Sequence, residues 1–268
     1  MSRSSCNALF AEFVGTFALV LVGCGAIVAH EVRGVPDTTG IALSFGLVVA
    51  VMVATFGDIS GAHLNPAVSV AAAVTGRFAW RLVPAYVAAQ CLGAMVAAGM
   101  LRVVAGSVTG PGGVNSLGVT TPSVSWPRAL LIEVVITFVL MAVIAAVSSD
   151  RRLTTSAAGA VIGATVALAS LWAGPFTGAS MNPARSLGPA LLSGHLGGLW
   201  LYLIGPVIGA TLGALAYDRL RGREAVVVAV KREDAAVEAG LEPVVFRPVG
   251  NRDAEVGATN RTGTGRGG

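Results

Sequence analysis

Long apolar blocks, broken by short polar or glycine-rich stretches, set the pattern of this chain. Six blocks reach the length of about 20 residues that lets a helix cross a hydrocarbon core. They lie near Ala8–His30, Thr39–Gly57, Leu82–Val104, Ala129–Ser148, Ala157–Ala173 and Leu199–Tyr217. Between them, Gly57-Asp58-Ile59-Ser60-Gly61 is expected to break the second helix, and Asn65-Pro66 to open a new one. Asn is a favoured N-cap and Pro is preferred at the first helical position. The apolar stretch that follows, Ala67–Val74, extends only roughly 15 Å as a helix, half a bilayer. It is expected to enter the membrane and stop, and Asn182-Pro183 to open its equivalent from the opposite face. The pattern predicts an all-α membrane protein of six spans and two reentrant half-helices.

The two halves repeat. Ala11-Glu12-Phe13-Val14-Gly15-Thr16-Phe17 matches Ile132-Glu133-Val134-Val135-Ile136-Thr137-Phe138 at an offset of 121. Asn65-Pro66-Ala67 and Asn182-Pro183-Ala184 stand 117 residues apart, within SGAHLNPAVS and TGASMNPARS. Three spans per half force the second half to run upside down, so the repeat is inverted and its functional centre is expected near the midplane.

Composition excludes a soluble globule: the chain is 54% hydrophobic and 12% charged, against roughly 25% charged in ordinary soluble domains. The mean hydropathy is +0.75. The isoelectric point near 9.4 invites a nucleic-acid reading, but no basic cluster interleaved with aromatics supports it. Cys6, Cys24 and Cys91 have no metal-type spacing, and no metal or cofactor is expected. Leu21-Val22-Gly23-Cys24 looks like a lipoprotein cleavage site, yet Glu12 interrupts the signal core and five more spans follow.

Arginine fixes the orientation. Arg77, Arg81, Arg151, Arg152, Arg219, Arg221 and Arg223 all fall on one side if both termini are cytoplasmic, and the loop from Gly106 to Pro127 carries no charge before Arg128. The channel body is expected over residues 1–217, with repeats near 8–104 and 129–217. Residues 218–268 read as a mostly disordered cytoplasmic tail. The single lysine, Lys231, amid abundant Ala, Gly, Val and Arg points to a GC-rich bacterial genome and an inner-membrane setting.

Two half-helices meeting N-terminus to N-terminus bring two positive dipole ends together. Non-helical backbone at that depth is tolerated only beside a water-filled cavity or inside protein. The carbonyls of Gly61, Ala62 and His63, and of Gly178, Ala179 and Ser180, are expected to line it as acceptors, with Asn65 and Asn182 as donors. His63 is placed in the inner vestibule or in a structural role. Arg185, costly at membrane depth, should face the cavity and select solutes. Glu12 and Glu133 are expected to hydrogen-bond the half-helix loops from behind, with proton relay as the alternative. Asp58, Ser60 and His63 resemble a hydrolase triad only superficially, so no catalytic residue is named and no enzyme is expected. Gly205, Gly209 and Gly213, with Gly159 and Gly163, have the four-residue spacing that allows close helix packing.

At these residues the chain resembles the aquaporins, or major intrinsic proteins, over about residues 8–217 and both signature loops. The resemblance implies a homotetramer with one pore per subunit, conducting water or small neutral solutes passively through the bilayer. It also implies an outer constriction formed by Phe45, Ser170, Ala179 and Arg185. Strict water channels carry histidine at the Ser170 position, so the constriction here should be wider. Glycerol facilitators typically pair two aromatics and place aspartate after the arginine, whereas this chain has Phe45 alone and Ser186. The second loop is most similar to the nodulin-26-like group and its bacterial relatives, which pass glycerol, ammonia and neutral metalloid hydroxides. The expectation is a permissive channel; the alternatives are a mainly water-selective channel and, remotely, a coupled transporter.

Overall fold

The computed structural model describes residues 3–105, 117–150 and 152–221. Among these the fold is all-helical: α1 Arg3–Arg33, α2 Thr38–Ser60, α3 Pro66–Val74, α4 Val83–Ala105, α5 Trp126–Ser148, α6 Thr155–Thr177, α7 Pro183–Ser193 and α8 Leu199–Arg221. A 3-10 turn, Trp80–Leu82, leads into α4. Six helices are long and apolar enough to cross a membrane. The other two, α3 and α7, have 9 and 11 residues and are half-length. The order of long and short helices is the same in α1–α4 and α5–α8, as the duplicated sequence requires.

The helices outrun the apolar blocks at most ends, because a helical backbone does not stop where its side chains turn polar. The expected break at Gly57 is corrected: α2 continues through Asp58 and ends at Gly61, whose φ of 83° turns the chain while its N–H donates to the Gly57 carbonyl. Gly57 serves packing instead, since a Cβ there would lie 2.5 Å from Thr155 Cγ2. Likewise α6 passes Pro175 and stops at Gly178, with φ 79°. α8 runs four residues beyond the expected end of the channel body, to Arg221. The remainder of the expected tail, residues 222–268, lies outside the described residues, as do residues 106–116 and Arg151.

Glycines let the long helices touch backbone to backbone. Gly46 on α2 and Gly163 on α6 face each other so closely that a Cβ on either would come within 2.5 Å or less of the other's carbonyl oxygen. A Cβ on Gly93 of α4 would lie 2.3 Å from the Phe13 carbonyl of α1, and one on Gly209 of α8 2.2 Å from the Val134 carbonyl of α5. In lipid no hydrophobic force drives helices together, so dispersion gained at such close approaches is what holds them. Each half-helix packs mainly on the last helix of the other half, α3 on α8 and α7 on α4. Outward faces are apolar, with Leu43, Leu47 and Val51 on α2 and Leu131, Val135 and Val139 on α5 exposed. Trp126 and Trp200 meet edge-on where α5 and α8 begin, 6.1 Å between centroids.

Polar ties close the opposite end. Arg77, just after α3, forms a two-pronged ion pair with Asp218 of α8. Asp218 is therefore a fixed part of the bundle, not of the tail. Asp58 accepts from Thr155 Oγ1 at 2.7 Å. In the α5–α6 turn, hydrogen bonds from Arg152 hold the Asp150 carboxyl down at about 2.

Candidate solute pathway

Asn65 and Asn182 have extended backbones, with φ of −156° and −149°, and stand immediately before the prolines that open α3 and α7. Asn65 Oδ1 accepts from Ala67 N at 2.9 Å; Asn182 Oδ1 accepts from Ala184 N at 3.0 Å and Arg185 N at 3.3 Å. Each amide also reaches across. Asn65 Nδ2 donates to the Met181 carbonyl and Asn182 Nδ2 to the Leu64 carbonyl, both at 2.8 Å. A carboxamide has two N–H donors, so each amide keeps one beyond this brace. Ala67 and Ala184, next after the prolines, are fully buried.

The loops before the asparagines are held from behind. Glu12 accepts four hydrogen bonds: from Ser60 Oγ, His63 N, Leu64 N and Gln90 Nε2, at 2.7–2.8 Å. Glu133 accepts three, from Thr177 Oγ1, Ser180 N and Met181 N. Successive backbone N–H groups converging on one anion form a nest. Nests require left-handed residues, and Ala62, Leu64, Ala179 and Met181 have φ between 43° and 54°. Such non-glycine conformations cost about 1–3 kcal/mol each unless the surroundings enforce them; the buried carboxylates do so. The N–H groups of His63 and Leu64 are committed to Glu12, and Gly61, Ala62, His63 and Leu64 line a cavity on the other side. Tyr86 and Tyr202 repeat the symmetry, donating to the Ser60 and Thr177 carbonyls.

On that other side runs a cavity of about 130 Å3, ample for several waters given roughly 10–15 Å3 for one. It extends from Asp58, Arg77, Thr154 and Thr155 at one end to Phe45, Ala179 and Arg185 at the other. Gly61, Ala62, His63, Ser180, Asn65 and Asn182 line it between. His63 Nδ1 meets Ser69 Oγ at 3.0 Å and its ring packs on Phe78 and Tyr86. Two expected residues do not reach the cavity wall. Gly178 is spent as the cap of α6, against Thr120. Ser170, 7% exposed, lies one turn beyond the last lining residue of α6, Val166, in line with Ala158 and Ile162. Pro66, Ala67, Pro183 and Ala184 stand behind the lining.

Sequence reasoning named Phe45 but missed the rest of the apolar wall facing the loops. Phe45, Val49, Val53 and Gly57 on α2, with Ala158, Ile162 and Val166 on α6, line the cavity at strict four-residue spacing. That spacing was present in the sequence, but α2 and α6 are apolar all round and the stripe does not stand out. It also missed Gln90, Tyr86 and Tyr202, polar residues inside apolar blocks, which is itself a usable signal, and the supporting hydrogen bonds of Ser60 and Thr177 just beyond two of the blocks.

Arg185 is 1% exposed. Its Nη1 donates to the Gly118 carbonyl at 2.7 Å, and its guanidinium carbon sits 4.9 Å from the Phe45 ring centre. Nε and Nη2 have no protein partner. Two buried donors thus stand at one end of a cavity lined by the two loops, the two asparagines and an apolar wall.

The sequence profile of the family described as Major intrinsic protein matches residues 1–217. The chain belongs to the major intrinsic protein family. Among relatives in that family, rice Aquaporin NIP1-2 (Oryza sativa subsp. japonica) is 49% identical over 215 residues, 80% of this chain and 71% of the relative. Aquaporin NIP3-1 of Arabidopsis thaliana is 50% identical over 225 residues, 82% of this chain and 69% of the relative. The X-ray structure of the aquaglyceroporin from Plasmodium falciparum superposes with a TM-score of 0.72 at 25% identity, covering 85% of this chain and 99% of that one. The resemblance read over about residues 8–217 and both signature loops is therefore that of the whole membrane body, and to nodulin-26-like members in particular. As a member of the major intrinsic protein family the protein is a multi-pass membrane channel for water and small uncharged solutes.

Proposed function

We propose that this channel is permissive, admitting glycerol-sized polyols, ammonia and neutral metalloid hydroxides such as arsenous or boric acid alongside water, while excluding protons and ions. The observation that carries the reading is the company Arg185 keeps at its end of the cavity: one aromatic, Phe45, and the small residue Ala179, with the small Ser170 one turn beyond the lining of α6. Nε and Nη2 of Arg185 donate to solute hydroxyls, the carbonyls of Gly61, Ala62, His63 and Ser180 accept from them, and the aliphatic stripe takes the carbon side. At the midplane a water accepting from Asn65 and Asn182 cannot at the same moment relay a proton along the file. The two helix N-termini and the Arg185 charge oppose cations.

The channel body is assigned to residues 1–217 and its helical end, with the following segment as a cytoplasmic tail and both termini on the cytoplasmic side of a plasma membrane. The relatives compared are plant proteins and lend no support to a bacterial inner membrane. A homotetramer with one pathway per subunit is the assembly proposed, with Glu12 and Glu133 as structural supports and no catalytic role for any residue. The test is tracer uptake of glycerol into proteoliposomes. Uptake linear in concentration and indifferent to proton or sodium gradients supports a channel; saturation or gradient dependence refutes it in favour of a coupled transporter.

A further inference from the structure

Arg185 and its neighbour Ser186 hold the same outer segment at two points. Arg185 Nη1 takes the Gly118 carbonyl, and Ser186 Oγ accepts from Thr120 Oγ1 at 2.8 Å. All three side chains are buried, Thr120 at 4% exposure, Ser186 at 0% and Arg185 at 1%. The hydroxyls form a chain of fixed direction. Ser180 Oγ donates to the Asn182 carbonyl at 3.0 Å, which spends its one proton. Ser186 must then donate to Ser180, 2.6 Å away, and Thr120 must donate to Ser186. The outer segment is thereby tied, through three hydroxyls, to the carbonyl of the second pore asparagine.

The segment is also wedged sterically. Gly118 has φ +73°, and a Cβ there would lie 2.7 Å from Cys24 Cβ on α1. A Cβ on Gly178 would come 3.1 Å from Thr120 Cγ2. Gly118 and Thr120 are thus pressed on opposite sides, against α1 and against the end of α6. The carbonyl holding Arg185 sits between those two fixed points. Among the described residues no other atom hydrogen-bonds the guanidinium, which is held there by that carbonyl and the Phe45 face.

We infer that Thr120 is a specificity-determining positioning residue: through Ser186 it fixes the Gly118 carbonyl, and through that carbonyl the place of the Arg185 guanidinium across the pathway. The inference rests on the reading of Arg185 as the selecting group. With the clamp loosened, the guanidinium leaves Gly118 and swings toward the cavity, where it obstructs a glycerol-sized solute more than a water.

The experiment compares Thr120→Val, Thr120→Ser, Ser186→Ala, the Val/Ala double variant and Arg185→Ala in proteoliposomes, per folded channel. The readouts are the glycerol-to-water permeability ratio and uptake of methylammonium. Valine keeps the shape of threonine and removes its donor; serine keeps the donor. Thr120→Val and Ser186→Ala should each lower the ratio by about 2- to 10-fold, the effect of one net hydrogen bond. The double variant should fall no further than either, and Thr120→Ser should match the wild type. Ser186→Ala reads the same bond from α7 if Thr120→Val does not reach the membrane. An unchanged ratio in Thr120→Val or Ser186→Ala, with Arg185→Ala altered, overturns the positioning role and leaves the reading of Arg185 standing. Arg185→Ala with wild-type ratio and wild-type cation exclusion overturns that reading, and this inference with it.

Discussion

Asn65 and Asn182 brace each other's loops: the amide of one donates to the carbonyl of Met181 and the amide of the other to that of Leu64, each at 2.8 Å. The same two side chains cap α3 and α7. One residue type at two related positions therefore starts each half-helix, joins the halves and keeps a donor to spare for solute.

Asn65→Asp retains the cap acceptor, removes the donor to Met181 and introduces a carboxylate at the midplane. A shift of only about 1.4 kcal/mol in a barrier is tenfold in rate, so proton leak should rise by roughly tenfold or more. A pH-sensitive dye trapped in proteoliposomes reads it. Wild-type leak in this variant would mean that the midplane field does not rest on Asn65.

The buried carboxylates are asymmetric. Glu12 takes a fourth donor, Gln90 Nε2; the position in α8 that corresponds to Gln90 by the match of Tyr86 to Tyr202 is Pro206, which has no donor. Hydrogen bonds to charged groups contribute about 1.5–3 kcal/mol each. Glu12→Gln and Glu133→Gln should both destabilise, each by more than about 3 kcal/mol, and Glu12→Gln more. Thermal unfolding in detergent gives the order, and the reverse order contradicts the account of loop support.

Gly209→Ala places a methyl 2.2 Å from the Val134 carbonyl, a backbone atom that cannot swing aside. Overpacking of this kind costs about 1–3 kcal/mol. Gly99→Ala, with nothing within 4 Å, is the control and should be neutral or slightly stabilising, since alanine is the better helix former. Equal melting temperatures for the two would refute backbone contact as what holds α5 to α8.

Ser170→His narrows the passage beside Arg185 and should suppress glycerol flux more than water flux. Arg185→Ala should admit charged solutes. Equal loss of water and glycerol in the first, or intact exclusion in the second, contradicts the assigned constriction.

Six spans, the duplication and both half-helices were legible because each rests on a local signal: block length, a repeated glutamate motif and Asn-Pro at two helix starts. Helix ends were less so. Gly57 looked like a breaker, yet its meaning is contact with Thr155, and a glycine needed for packing cannot be told from one needed for turning until its neighbour is known. The supports at Glu12 and Glu133 were legible as buried acids with loops nearby. Gly118 was not, because a backbone carbonyl leaves no trace in composition. The neighbours of Phe45 on the cavity wall were hidden for the opposite reason, being apolar in helices apolar on every face.

The central claim is a passage wide enough for glycerol beside Arg185. Stopped-flow light scattering of wild-type proteoliposomes under sucrose and glycerol gradients in parallel tests it most directly. Fast shrinkage in sucrose, and fast shrinkage then fast reswelling in glycerol, is the predicted result. Fast shrinkage with glycerol entry no quicker than in empty liposomes would contradict it, and would make the protein chiefly a water channel despite the small side chain at Ser170.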